Sequence, residues 1–205
     1  MADVAPSGYA FIALSYPHER ALSYEESAAF VKEELKKIDG DVILLAESFS
    51  GPTGILLASE GLEQVKGLVL VGTFTNWPNV RLVKHMPWRL IFGMASWVGE
   101  GIRQVIWGRG LFQLLIEEIA GKDAKVLADR MRMVGEVNVV EQFKQIDVPM
   151  VYLRGKWDVV VPRWNVRKML ELQKDMEVVD INSSHLILQT QAEAAWEGIQ
   201  QLFDE

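Results

Sequence analysis

The sequence predicts an α/β domain: a mostly parallel sheet of about five strands, helices on both faces, and a helical insertion. Three observations carry that expectation. Short runs rich in Val, Ile and Leu recur without clean alternation, as strands covered on both faces do. Helix-period segments separate those runs, which is the rhythm of a parallel sheet wound with crossovers. One long segment, from Thr75 to Ile146, breaks the rhythm and offers no strand candidate.

The expected strands are Tyr9–Ser15, Val42–Ala46, Gly67–Val71, Met150–Leu153 and Glu177–Ile181. The first expected helix, Tyr24–Ile38, places Ala28, Ala29, Phe30, Val31, Leu35 and Ile38 among acids and lysines. Gly51–Ser59 is short and apolar, Trp164–Leu172 follows Pro162, and Ala192–Phe203 closes the sequence. Gly40, Gly61 and Gly67 mark turns between elements. The residues divide into a core, 1–74 and 147–205, and an insertion, 75–146. Within the insertion Trp88, Trp97, Trp107, Phe92 and Phe112 recur at roughly helical spacing. Insertions of this kind lie over the C-terminal strand ends, where ligands bind in open α/β sheets. The functional reading is a lid that shapes an apolar pocket. The alternative is a subdomain whose aromatics pack only its own core.

At 205 residues the chain is long enough to bury a sizeable core. Its net charge of −7 argues against a nucleic-acid surface, which needs a basic stripe. With no cysteine there is no disulfide framework, thiol nucleophile or zinc–thiolate site. The first residues carry no basic region ahead of a signal-like apolar run, and no stretch has the length of a membrane span. The expectation is a cytoplasmic protein without stable membrane insertion. Arg81, Lys84, Arg89 and Arg103 flank aromatics of the insertion, so a membrane-surface role is a minor alternative.

Ser48 ends the second apolar run, in "LLAESFSGPTG", and a small-residue helix begins just after it. Ala46 and Ser50 stand two residues to either side. A nucleophile on a strained strand-to-helix turn needs small side chains there, although G-x-S-x-G is the usual pattern. Ser50 is the local rival, but it falls a turn into the helix. Among the three histidines, His18, His85 and His185, only His185 follows a strand and precedes the last helix. Asp158 follows the strand of "MVYLRGKWDVVVP" and so lies at the same sheet edge. Asp147 precedes its strand and belongs to the opposite edge, while Asp180 lies within or at the end of the last strand. Each candidate has an ordinary structural role as its alternative: a turn aspartate, a locally bonded loop histidine. Glu47 precedes the serine. It reads first as a polar residue bonded to neighbouring backbone, and second as a group that tunes His185 or contacts substrate.

The order Ser, Asp, His, each after a separate strand, is the order of the α/β-hydrolases. From Tyr9 onward the chain resembles that superfamily, especially bacterial hydrolases with an "LLAESFSGP" elbow, an acid loop after "YLRG" and a "SHLILQ" histidine loop. The resemblance implies Ser48 as nucleophile, His185 as base, Asp158 as acid, and the Phe49 backbone N–H as an oxyanion donor. It implies no metal and no organic cofactor. It also matches Tyr9–Ser15 to the family's fourth strand, leaving the first three strands and the glycine loop with the second oxyanion donor unmatched. Three expectations follow: Tyr9–Ser15 shifts beside Val42–Ala46, a partner chain (a homodimer, for example) fills the gap, or the fold is truncated. In the first case His18 or Glu19 of "YPHER" supplies a surrogate N–H. The expected function is a carboxylesterase-like serine hydrolase acting on a small or medium apolar ester. The alternative is a truncated, catalytically impaired homologue serving as a binding or dimerising module.

Overall fold

The computed structural model describes residues 4, 8–17, 20–78, 87 and 123–203. Among them, four parallel strands form one sheet: β1 (Val42–Glu47), β2 (Val65–Val71), β3 (Met150–Gly155) and β4 (Glu177–Ile181), in the order β1-β2-β3-β4. Glu47 pairs with Val71, Leu153 with both Val71 and Val179, and Gly155 with Ile181. The C-terminal ends are thus nearly level, so the loops that follow all four strands emerge at one edge.

The helices are α1 (Tyr24–Leu35), α2 (Gly51–Ser59), α3 (Ala124–Glu136), α4 (Val140–Lys144), α5 (Trp164–Leu172), α6 (Ile187–Thr190) and α7 (Ala192–Phe203). A capping box starts α1. The Glu26 N–H donates to Ser23 Oγ at 3.1 Å, and the Ser23 N–H donates to Glu26 Oε2 at 2.8 Å. This reciprocal arrangement satisfies two donors that a helix start leaves open. The helix ends at Leu35, a turn short of the expected Ile38.

Two apolar layers enclose the sheet. One gathers residues of α1, α2, α4 and α5 around Leu44, Leu68, Leu70 and Tyr152. The other sets Ile187, Ala195, Trp196 and Ile199 against Val69, Val71, Val151 and Leu153. Alternate residues of β2 and β3 therefore serve opposite layers, and both strands are buried throughout except at Lys66 and Arg154. This explains why their sequences run apolar rather than alternating. Helix α2 lies close to the sheet because Gly54 has no side chain; a Cβ there would stand 2.8 Å from the Cβ of Ala46.

The run Tyr9–Ser15 is not a strand, which corrects the expectation of about five to four described strands. Its apolar side chains find partners without a backbone ladder. The Tyr9 and Phe11 rings meet Trp196 edge-on, with centroids 5.0 and 6.4 Å away, and Leu14 and Tyr16 pack on the layer that contains α1. The shift of this run into a ladder beside β1 does not occur. Among the described residues β1 pairs only with β2. His18, Glu19 and His85 lie outside the described residues, as do Trp88, Trp97, Trp107, Phe92 and Phe112. Of the insertion, α3 and α4 are described, with one isolated antiparallel bridge between Asn76 and Asn138. No helix among the described residues is long and apolar enough to cross a membrane.

Candidate active site

The β1 end is the first piece of the site. Strand β1 stops at Glu47, and a single 3-10 turn, Ser48–Ser50, leads into α2. Ser48 has φ +51°, and among the described residues no other non-glycine residue has positive φ. That conformation costs a β-carbon-bearing residue about 1–3 kcal/mol and persists only where its surroundings enforce it. The enforcement is visible. Thr73, fully buried just beyond β2, donates its hydroxyl to the Ser48 carbonyl at 2.7 Å. Thr73 is itself fastened to β3: its N–H donates to the Tyr152 hydroxyl at 2.9 Å, and that hydroxyl donates to the Thr73 carbonyl at 2.8 Å. Gly51 makes room for the brace, since a Cβ there would fall 1.8 Å from Thr73 Oγ1.

The acid loop is the second piece. Asp158 follows β3 and carries a nearly buried side chain, 2% exposed. Its Oδ1 accepts the N–H groups of Val160 and Val161 at 2.8 and 2.9 Å. An aspartate two and three residues before those donors forms such a turn readily. The structural role foreseen for Asp158 is therefore real, and it leaves Oδ2 free to face elsewhere.

His185 is the third piece. It follows β4 and is 3% exposed. Its Nδ1 lies 2.8 Å from Asp158 Oδ2, and its Nε2 lies 2.7 Å from Ser48 Oγ. With the ring proton on Nδ1, that N–H donates to the carboxylate and Nε2 accepts from the serine hydroxyl. Residues 137 and 27 positions apart along the chain are thereby joined in one hydrogen-bonded line. Two glycines let the loops meet. Gly155 would carry a Cβ 2.2 Å from the Ser184 carbonyl oxygen. Gly72, with φ +50°, would place one 3.2 Å from Asp158 Oδ2 and 3.4 Å from His185 Nδ1.

The rival candidates lie elsewhere. The Ser50 hydroxyl donates to the Glu47 carbonyl at 2.8 Å. Asp147 is exposed ahead of β3. Asp180 sits within β4 opposite Arg154, whose Nε donates to its Oδ1 at 2.5 Å; the guanidinium holds this carboxyl below the usual carboxylate range. Phe49 follows Ser48 in the turn. Its ring packs on Tyr24 with centroids 5.1 Å apart, and the Arg130 guanidinium of α3 lies 5.6 Å from its ring centre. Glu47 bonds to backbone, as expected, but to the segment after His185 rather than to its own neighbours. Thr73 and Tyr152 went unsingled in the sequence. The one available signal is a phenol inside the apolar run Met150–Leu153.

No protein-family model and no curated protein sequence matches the chain. Solved structures do. E-2-(acetamidomethylene)succinate hydrolase superposes with a TM-score of 0.72 at 15% identity, covering 93% of this chain and 77% of that one. A bromoperoxidase from Bacillus anthracis gives 0.70 at 16% identity, with 93% and 77% covered. An alpha/beta hydrolase enzyme from a Medee basin deep-sea metagenome library gives 0.69 at 13% identity, with 91% and 74% covered. The chain has the α/β-hydrolase fold, and it spans about three quarters of the length of these structures.

The brace beneath Ser48 yields a direct expectation. Tyr152→Phe removes one hydroxyl but strands both the N–H and the carbonyl of Thr73 in a buried position. Urea unfolding should show a loss of about 1–3 kcal/mol, the cost of leaving such groups unsatisfied. An unchanged midpoint would mean that the brace contributes nothing.

Proposed function

We propose that the protein is a serine hydrolase of the carboxylesterase type, with Ser48 as nucleophile, His185 as general base and Asp158 as the orienting acid. The observation that carries this reading is the continuous line Ser48 Oγ–His185 Nε2–Asp158 Oδ2, at 2.7 and 2.8 Å, with the serine in left-handed backbone geometry. In the reaction His185 takes the hydroxyl proton as Ser48 Oγ attacks an acyl carbonyl. Asp158 fixes the tautomer that leaves Nε2 free to accept, and it stabilises the imidazolium that forms. The Phe49 N–H, at the start of the helical stretch, is the donor assigned to the developing oxyanion. Collapse of the tetrahedral intermediate expels the alcohol, which takes its proton from His185. Water activated by the same imidazole then releases the acid from Ser48.

The insertion, residues 75–146, is the assigned lid over this edge. An apolar ester of small or medium chain length is the assigned substrate. The aromatic content of the insertion supports it, as do two exposed apolar side chains, Val159 of the acid loop at 75% and Trp164 at the start of α5 at 44% exposure. Among the solved structures of this fold are an enol-lactonase from Burkholderia xenovorans and a bromoperoxidase from Bacillus anthracis, so the fold leaves the reaction open and the reading stands on the site.

A fluorophosphonate probe read by intact mass tests the assignment. Wild type should gain one adduct and Ser48→Ala none, while Asp158→Asn should label more slowly by on the order of 10⁴-fold, the usual cost of losing the correct tautomer. Folded wild type that takes no adduct would favour the binding-module reading. For the substrate, p-nitrophenyl esters should be hydrolysed faster as the acyl group lengthens from acetate to medium chains. A steady fall from acetate would contradict the apolar pocket.

A further inference from the structure

The insertion contributes one cation to the neighbourhood of the nucleophile. Arg130 belongs to α3, and its guanidinium carbon lies 5.6 Å from the centre of the Phe49 ring. Phe49 directly follows Ser48 in the turn. The helix that carries Arg130 is held in this place. Met133 and Val134 pack on the apolar layer that contains α1 and α2. Just past the helix, the Val139 N–H donates to the Thr75 carbonyl at 2.8 Å, beyond the end of β2. The fold thus fixes Arg130 beside the turn that presents the serine.

The Arg130 side chain is half-buried and short of acceptors. Its acidic neighbour on the same helix is already engaged: Arg132 donates to Asp129 Oδ1 at 3.0 Å. The chain has 28 aspartates and glutamates, yet among the described residues none pairs with Arg130. The Phe49 ring attracts the charge, but it offers no lone pair to the N–H groups of the guanidinium fork. Such a fork matches a carboxylate, which can accept two parallel N–H bonds from it.

We propose that Arg130 determines substrate specificity by binding a carboxylate of the substrate, so that the preferred ester carries an anion on an otherwise apolar chain. The proposal rests on the serine-hydrolase reading and adds a charged end to the substrate assigned there. Arg130 takes no part in the bond changes at Ser48. Its contact with the carboxylate persists from the free enzyme's encounter with substrate through the transition state, and so raises kcat/KM. The carboxylate can belong to the acyl or to the alcohol side of the ester, and the test separates the two.

The test measures kcat/KM for two carboxylate esters, each against the uncharged amide of the same shape. Monomethyl adipate carries its carboxylate on the acyl side, and hexanoyl glycolate carries it on the alcohol side. The readout is the ratio of carboxylate to amide within a pair, because a loss of folded enzyme lowers both rates alike. In wild type one pair should show a ratio of about tenfold or more, the scale of one hydrogen bond to a charged group. In Arg130→Met that ratio should fall to near unity. In Arg130→Lys, which keeps the charge without the fork, it should fall less. A wild type with no preference in either pair would overturn the proposal, as would a preference that survives in Arg130→Met. Wild type that takes no fluorophosphonate adduct and cleaves none of these esters would remove the serine-hydrolase reading, and the anion site is then decided without turnover. Phenylglyoxal modification, read by peptide mass, compares Arg130 with Arg132 of the same helix. Adipate should slow the modification of Arg130 but not that of Arg132. Equal slowing of both, or slowing of neither, would overturn the proposal.

Discussion

The left-handed backbone of Ser48 is the constraint on which the site depends. A serine would not adopt it unaided, and the groups that hold it come from other strands. Thr73, at the end of β2, pulls on the Ser48 carbonyl, and Tyr152 of β3 grips Thr73 by both its N–H and its carbonyl. Parallel strands with level ends make this possible. Each contact of the brace then needs to reach only one strand across. The strain at the serine is borne by β1, β2 and β3 together, in a region where Thr73 and Tyr152 are buried.

Small residues permit the crowding that this geometry requires. Gly51 yields space to Thr73, Gly155 to the backbone of Ser184, and Gly72 to the His185–Asp158 pair. A β-carbon would collide with the Thr73 side chain at Gly51 and with backbone at Gly155, and at Gly72 it would crowd the His185–Asp158 pair. Polar contacts and missing side chains therefore act together. Asp158 illustrates the economy: one carboxylate oxygen forms its own turn with Val160 and Val161, and the other orients His185. The turn role and the candidate catalytic role are not alternatives for this residue.

Much of this was legible before any coordinates. Apolar runs without alternation located β1 to β4, and α2, α5 and α7 begin and end as their patterns indicated. Ser48, Asp158 and His185 could be selected because each follows a strand, and topology alone carries such residues to one edge. The failures have physical causes. Tyr9–Ser15 has the composition of a strand, but it lies mostly exposed on the surface, with Tyr9 and Phe11 against Trp196 and only Leu14 half-buried, and its backbone joins no ladder. Composition reports apolar demand, and several geometries can meet it. The brace was invisible because Tyr152 reads as an ordinary member of a buried strand. Its hydroxyl acquires meaning only from Thr73, 79 positions away. Glu47 was readable as a bonded polar residue, but not as a link to α6, because nothing in the local sequence indicates that Gln189 returns to it.

The central claim is that a braced, left-handed Ser48 is an activated nucleophile and that the Phe49 N–H donates to the oxygen on which negative charge develops. Its most direct test is a crystal structure of the protein after reaction with a phosphonate ester. The account predicts a covalent bond from phosphorus to Ser48 Oγ, a phosphoryl oxygen within hydrogen-bonding distance of the Phe49 N–H, and the Tyr152–Thr73–Ser48 contacts unchanged. Phosphorus on another side chain, or a phosphoryl oxygen turned away from Phe49, would contradict it.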